Sequence, residues 1–427
     1  MKHLNSKGFI ELLKNEIIKK KHSIFLTGSA GVGKTTLLRN LKDELNKVGA
    51  PAVLTSTTGL SSFHLGGVTI HKFMGINIQK NTSYLNYFSH TFQFTALKKR
   101  LAKFDVIIID EISMLRADQF TLIDLVLKKA CGNNKPFGGK IVVFSGDFYQ
   151  IPPVVLENEI KKNQWIFTSE PWLNSKINVY KLIHVHRQSN ADFINCLDEI
   201  KEGRVESKQV KNLIEMCKKR KPTENDTIFF ATNEECDTFN QKKINQLPGK
   251  LTTYIATVAG KRKQYNKDAI IRECIAKEKL DLKVGAKVII VYNDPKNRFV
   301  NGTKAIVTKL NEHNIEVLID NQAKPIVLKR HTWKKLNYYN KTIAYMKQIP
   351  VIPAYGLTIH KSQGMTLDSI VIDCKNIFTY GQLYVGMSRV RDAKNMTLIH
   401  FDKSKVITSK TVKKYYKTTK MEEIYID

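Results

Sequence analysis

Residues 22–45 read HSIFLTGSAGVGKTTLLRNLKDEL, and the parsing of this stretch decides the fold. Ile24, Phe25 and Leu26 form a short apolar strand, and Leu37, Leu38, Leu41 and Leu45 recur at helical spacing. Between them, Gly28-Ser29-Ala30-Gly31-Val32-Gly33-Lys34-Thr35 fits G-x-x-x-x-G-K-[ST] in the strand–loop–helix context that gives the pattern its meaning. Glycines let backbone N–H groups curl around phosphate oxygens, and the helix N-terminus adds its dipole. Lys34 then reaches the β- and γ-phosphates and Thr35 ligates Mg²⁺. The loop from Gly28 through Thr36 is therefore the candidate ATP-binding segment. The bland alternative is a chance glycine turn, and the flanking strand and helix argue against it.

Such a loop needs a carboxylate on a neighbouring strand. FDVIIIDEISML, residues 104–115, supplies it. Val106 to Ile109 is a continuous apolar run, as expected of a strand buried on both faces. It ends at Asp110-Glu111, and α/β sheets place ligand sites at the carboxyl ends of strands. Asp110 is the expected Mg²⁺ holder, and Glu111 the expected group that polarises an attacking water. A third strand, KIVVFSGDFYQIPPV at 140–154, ends in Gly146-Asp147-Phe148-Tyr149-Gln150. Gln150 there could hydrogen-bond the γ-phosphate or its attacking water.

Length and composition frame this core. The chain has 427 residues, enough for two to four domains. A formal net charge of +30 points first to a nucleic-acid partner, although a Lys-rich proteome would explain part of the excess. The cysteines at 131, 196, 217, 236, 274 and 374 form no C-x-x-C pair, which argues against a zinc ribbon and fits a reducing compartment. No apolar run approaches the roughly 18 residues of a membrane span, and no signal peptide is visible. An intracellular location is expected, whether bacterial, viral or nuclear, with no membrane partner.

Eight segments occur in order along the chain: GSAGVGKTT, TSTTGLSS, TIHKFMGI, DEISML, FGGKIVVFSGDFYQIPPV, HRQSNADF, IHKSQGMTLD and YVGMSRV. On these the sequence resembles the Pif/RecD-like DNA helicases of superfamily 1B, within the Pif branch. The resemblance implies an α/β fold of two RecA-like P-loop lobes with ATP between them. It implies a small wedge insertion in the first lobe and an SH3-like β-barrel in the second. It also implies a monomeric motor that translocates 5′-to-3′ on single-stranded DNA and meets single-strand/duplex junctions. Other replication or recombination proteins are further candidate partners. The expected boundaries are a first lobe at 1–174 with a wedge at about 76–103, a second lobe at 175–247 and 347–405, the barrel at 248–346, and a basic tail at 406–427.

Site residues carry over by position. Arg187, after the strand-like INVYKLIHVH, and Arg389, in GQLYVGMSRV, match arginine-finger positions and are expected to reach the nucleotide from the second lobe. Thr57, Thr58 and Gly59 are expected to meet DNA phosphates, and His71, Lys72 and Phe73 to add a ring donor, a cation and a stacking face. A structural histidine and an ordinary core phenylalanine are the competing readings for His71 and Phe73. In the second lobe Thr358, His360, Lys361 and Ser362 are expected to face the strand, with Gln363 and Gly364 nearer the nucleotide. Tyr84, Tyr87 and Phe88 of the wedge are candidate base contacts. Short strands around AKVIIVYND, GTKAIVTKL and IEVLID, with turns at Asp294-Pro295, Asn301-Gly302 and Asn311, read as the barrel.

Two departures stand out. The family's adenine-reading glutamine upstream of the P-loop is missing from MKHLNSKGFIELL, and two readings stay open: Asn5 substitutes for it, or the enzyme accepts several nucleotides. TTGLSS has serines where the family commonly has alanines. The tetrapeptide Thr-Ile-His-Lys occurs twice, at 69–72 and 358–361. Two other readings remain open: a nucleotide-regulated clamp on single-stranded DNA that does not unwind, and a motor subunit of a nuclease complex.

Overall fold

Apolar runs too long to alternate demand burial on both faces, and the first sheet provides it. The computed structural model describes residues 2–426 except 59, 60, 63, 64, 66, 67, 77–83, 154–163, 261–266, 269, 272, 273, 293, 295–297, 300–302, 320, 321 and 337–341. Eight strands lie in the order Lys2–Leu4, Glu422–Ile426, Ile177–Leu182, Ser23–Gly28, Ile141–Ser145, Val106–Asp110, Ala52–Ser56 and Val68–Thr69. Every neighbouring pair is parallel. Val106–Asp110 and Ile141–Ser145 are buried at every position, as parallel strands covered on both faces should be.

The two faces carry separate cores. On one, Leu37, Leu38, Leu41 and Leu45 of the helix Lys34–Lys47 pack with Ile24, Leu26, Ile108 and Val143. On the other, Phe25, Ile107, Ile109 and Phe144 pack with Phe120, Phe148 and Trp172. The chain thus places the glycine loop and the Asp110 carboxylate at the carboxyl ends of strands in one parallel sheet.

The chain divides into two compact units, and the division differs from the expected one. The first comprises Met1–Met216, Phe378–Ala393 and Asp402–Asp427; the second comprises Cys217–Ile377 and Lys394–Phe401. The boundary expected at 174 fails because Ile177–Leu182 pairs along its whole length with Ser23–Gly28. The expected tail at 406–427 is also structure. Lys410–Thr418 is a helix and Glu422–Ile426 a strand inserted beside Ile177–Leu182, with Ile424 and Ile426 buried.

Within the second unit, Gly356–Thr358, Thr227–Phe230, Ile370–Asp373 and Met396–Ile399 form a four-stranded parallel sheet. At the position expected for the barrel lies a five-stranded antiparallel sheet, in the order Ile326–Lys329, Asn314–Ile319, Lys304–Leu310, Lys287–Ile290 and Val351–Pro353. Its core holds Val288, Ile290, Val307, Ile315, Val317 and Leu328. Two-stranded and three-stranded antiparallel sheets accompany it. Turns expected at Pro295 and Asn301-Gly302 lie outside the described residues.

Candidate functional site

The glycine loop is bent by backbone conformations that other residues rarely adopt. Gly28, Gly31 and Gly33 have φ of 147°, 88° and 81°. A Cβ on Gly28 would stand 2.5 Å from the Leu182 carbonyl oxygen, and one on Gly31 would stand 2.7 Å from Arg187 Cβ. Gly33 is the N-cap of the helix Lys34–Lys47 and has no side chain to occupy its amides. Lys34 Nζ donates to the Gly28 carbonyl at 2.7 Å and the Ser29 carbonyl at 3.1 Å, which holds it over the loop. Loss of solvent around this ammonium lowers its pKa, against the pull of Asp147, Glu111 and Asp110. Ser29 Oγ donates to Asp198 at 2.9 Å and accepts from Lys201 at 2.7 Å. Ala30 N–H donates to the Tyr384 hydroxyl at 3.0 Å. Val32 is core, whereas Thr36 is exposed on the first helical turn.

The acidic pair sits opposite. Thr35 Oγ1 donates to Asp110 Oδ2 at 2.9 Å. Asp110 Oδ1 accepts from Ser145 Oγ at 2.8 Å and from the Glu111 amide at 2.9 Å. Glu111 occupies the left-handed region, φ 55° and ψ 42°, a conformation costly for a residue with a Cβ and often found at functional sites. Desolvation pushes its carboxyl up to about 7, and the Asp110 charge adds to the rise; Lys34 and Arg389 pull it back. Gln150 is buried, with Nε2 3.5 Å from Asp147 Oδ2, while Asp147 Oδ1 accepts the Tyr149 amide at 3.0 Å.

Both arginines belong to the first unit, not the second. Arg187 follows the strand Ile177–Leu182 and donates to the Ser388 carbonyl at 3.0 Å. Arg389 is buried just beyond the helix Gln382–Met387 and donates from Nε to the Val385 carbonyl at 2.8 Å. Burial and then the Arg187 charge lower its pKa to about 9, so the site holds a costly cation near Glu111. Gln188 braces the pair, donating to the Ser388 and Val390 carbonyls at 3.2 and 2.8 Å. Mg²⁺ prefers hard oxygen ligands, with few from protein. The Thr35 hydroxyl and Asp110 carboxylate, already in hydrogen-bond contact, fit that demand.

The expected DNA contacts divide. Thr57 Oγ1 donates to the Glu111 carbonyl at 2.6 Å and its amide to the Asp110 carbonyl at 3.2 Å, which ties that strand end to the acidic pair. Thr58 Oγ1 donates to Ser61 Oγ at 2.9 Å. Gly59 lies outside the described residues. Phe73 is 3% exposed and meets Phe104 edge-on at 6.0 Å, so in this structure it is core and offers no free stacking face. Phe88 is likewise core and Tyr84 stacks on it at 5.5 Å, whereas Tyr87 is exposed. His71 is buried against Gln119 Oε1 at 3.2 Å, and burial lowers its pKa to about 4. It is neutral at physiological pH and cannot pair with a phosphate as a cation. Lys72 is half-buried beside it.

In the second unit, Thr358 ends its strand, His360 and Lys361 are half-buried, and Ser362 Oγ donates to the Ile359 carbonyl at 2.7 Å. Burial lowers the His360 pKa. Gln363 Nε2 is buried without a hydrogen-bond partner among the described residues, and Gly364 has φ 80°. Asn5 accepts the Gly8 amide at 2.8 Å as a helix cap, which commits its side-chain oxygen. Sequence reasoning passed over Ser145, Tyr384, Asp198 and Lys201. Tyr384 lies inside YVGMSRV, but nothing in the local sequence points from Asp198 or Lys201 to Ser29.

A parallel sheet with a glycine loop, a Thr–Asp oxygen pair, a raised-pKa glutamate and two inward arginines defines a P-loop nucleotide hydrolase with a RecA-like core. The PIF1-like helicase family model matches residues 5–211, and that of the DNA helicase Pif1 2B domain matches 267–310. The ATP-dependent DNA helicase Pif1 of Campylobacter jejuni is 32% identical over 419 residues, 90% of each chain. The chain belongs to the Pif1 family of helicases. The crystal structure of Pif1 helicase from Candida albicans superposes with a TM-score of 0.79 at 28% identity, covering 98% of this chain and 99% of that one. Pif1 helicase from Bacteroides in complex with ADP-AlF3 and ssDNA gives 0.70 at 28% identity, with 96% of each chain covered. No helix among the described residues is long and apolar enough to cross a membrane.

Proposed function

We propose that this chain is an ATP-dependent DNA helicase that moves 5′-to-3′ along single-stranded DNA and opens duplex DNA at junctions. The observation that carries the reading is the convergence of Lys34, Thr35, Asp110, Glu111, Arg187 and Arg389 in one unit. The Bacteroides relative, with ADP-AlF3 and ssDNA in one complex, supports both ligands.

In this reading Lys34 and the loop amides hold the β- and γ-phosphates. Thr35 and Asp110 would hold Mg²⁺, which would supply neutralising charge to the phosphate oxygens. Glu111 accepts a proton from the attacking water. Its raised pKa makes it a better base than an ordinary carboxylate, provided it is ionised. Arg187 and Arg389 meet the charge that develops on the transferred group. Thr57 links DNA contact to the acidic pair through the Glu111 carbonyl.

Lys34→Ala should cut ssDNA-stimulated ATP hydrolysis by about 10²- to 10³-fold or more, and duplexes with a 5′ single-stranded tail should be the ones wild type opens. Nucleotide binding without turnover at saturating ssDNA would favour the clamp instead, and unwinding confined to 3′-tailed duplexes would reverse the polarity. Since Glu111 works ionised and its pKa is about 7, kcat/KM for ATP should rise with pH to about 7 and then level. A profile flat from pH 5.5 to 8.5 would remove Glu111 as the base.

A further inference from the structure

The basic stretch after residue 403 carries no motif, yet its helix ends on the ATP site. We infer that Tyr416 is a positioning residue for ATP hydrolysis, fixing the loop 147–150 to the strand that leads into the glycine loop. This inference rests on the ATPase reading above.

The geometry is specific. The phenol oxygen of Tyr416 lies 2.8 Å from Thr27 Oγ1, and it accepts the Phe148 amide N–H at 3.1 Å. Thr27 is the residue before Gly28, the first glycine of the loop. Phe148 lies between Asp147, whose charge acts on Lys34, and Gln150. One oxygen atom therefore ties together the two segments that must keep register around a γ-phosphate. The Tyr416 ring stacks on Tyr149 at 4.8 Å with planes 10° apart, which adds a second hold on the same loop.

Phe148 is core, so packing holds one side of this loop. A cavity of about 430 Å³ runs beside it, lined by Thr27, Asp147, Tyr149, Lys201 and Tyr416 among others. Where one side of a loop is not filled, directional bonds set its position. The helix that brings Tyr416 here is anchored independently. Tyr415 stacks on Phe167 at 4.3 Å, Val412 is core, and the following strand Glu422–Ile426 is locked into the sheet. Anchor and strut are thus neighbouring residues with separate duties. Tyr415 also meets Phe148 edge-on at 5.5 Å, but through its ring, so Tyr415→Phe is a matched control that keeps the ring contacts and removes a hydroxyl bonded to neither Thr27 nor Phe148.

The test compares wild type, Tyr416→Phe, Tyr415→Phe, Thr27→Val and the double variant Tyr416→Phe/Thr27→Val in ssDNA-stimulated ATP hydrolysis, with melting curves for each. Tyr416→Phe keeps the ring and loses the oxygen; kcat should fall about tenfold with KM for ATP changed less than about twofold. Thr27→Val should reproduce part of the loss from the other side of the bond. The double variant should lose less than the product of the two single losses, because both remove one interaction. Tyr415→Phe should keep wild-type kcat. Equal kcat in wild type and Tyr416→Phe, equal losses in Tyr416→Phe and Tyr415→Phe, or independent multiplicative losses in the double variant would each overturn the positioning role. If Tyr416→Phe melts below the assay temperature, Thr27→Val alone decides, and unchanged kcat in it overturns the role. A wild-type protein with no turnover would instead refute the ATPase reading.

Discussion

Thr69–Lys72 and Thr358–Lys361 are the same four residues in two different settings. Each copy begins at the end of a short parallel strand, Val68–Thr69 in one sheet and Gly356–Thr358 in the other. Each threonine turns its hydroxyl back onto the chain: Thr69 Oγ1 accepts the Lys72 amide at 3.3 Å, and Thr358 Oγ1 accepts the Lys361 amide at 3.4 Å. The histidines then part company. His71 is sealed against Gln119, while His360 stays half-buried with no side-chain hydrogen bond among the described residues. The tetrapeptide encodes a strand end and a capped turn. The residue after each copy is buried in both, Phe73 at 3% and Ser362 at 0% exposure, and the copies diverge one position later: Met74 is core, whereas Gln363 is half-buried and Gly364 exposed.

The sharpest way to break this comparison is at the residue that follows each copy. Phe73→Ala removes a buried ring that packs on Phe104 and lies beneath the Arg100 guanidinium. It should cost about 3–5 kcal/mol in denaturant unfolding. Ser362→Ala removes one hydroxyl and its bond to the Ile359 carbonyl, and should cost about 1 kcal/mol. Similar costs at the two positions would mean that Phe73 does not anchor its copy.

The histidines come next. His71→Ala leaves a cavity and strips Gln119 Oε1 of a partner, so a loss of about 2 kcal/mol is expected. His360→Ala, half-exposed, should stay within about 1 kcal/mol. The acid side separates them further. His71 titrates at about 4 folded against 6.5 unfolded. Its lowered pKa means the unfolded chain takes up the proton first, so wild type loses stability as pH falls from 6.5 toward 4. His71→Ala should shed part of that slope. In activity the order should reverse: His360→Ala should lower ssDNA-stimulated turnover more than ssDNA affinity, and His71→Ala should not. Equal losses of affinity alone from both would reduce the pair to phosphate contacts.

Much of the ATP site was legible because it is local. Gly28 to Thr35 is one loop, and Asp110-Glu111 ends one apolar run, so pattern and chemistry coincide within a few residues. The parts that escaped are long-range. In the sequence Arg187 falls to the second lobe because its strand follows a plausible boundary, and only pairing with Ser23–Gly28 reveals the sheet that strand joins. The C-terminal stretch reads as a basic tail because lysines dominate it. Its signal lay in the alternation of Ile424 and Ile426 with Tyr425, and in Tyr415-Tyr416, too short to outweigh the charge. Phe73 could not be assigned from one sequence, since a ring that stacks on a base and a ring that fills a core have the same composition. Phe104, its partner, lies 31 residues on (104 − 73).

The smallest effect tests the shared feature itself. If the copies have in common only a strand end and a cap, Thr69→Ala and Thr358→Ala should each cost about 1 kcal/mol, the usual loss for a threonine cap. The matching distances of 3.3 and 3.4 Å predict near-equal values. Serine at either position should restore most of the stability, because it keeps the accepting oxygen and loses only a methyl group. Thr358 is 2% exposed, so its serine variant should recover slightly less than that of Thr69, the difference being the buried methyl. A Thr358→Ala cost several times that of Thr69→Ala, with no recovery by serine, would show that the second threonine packs its sheet rather than capping its turn, and the likeness between the copies would end at the sequence.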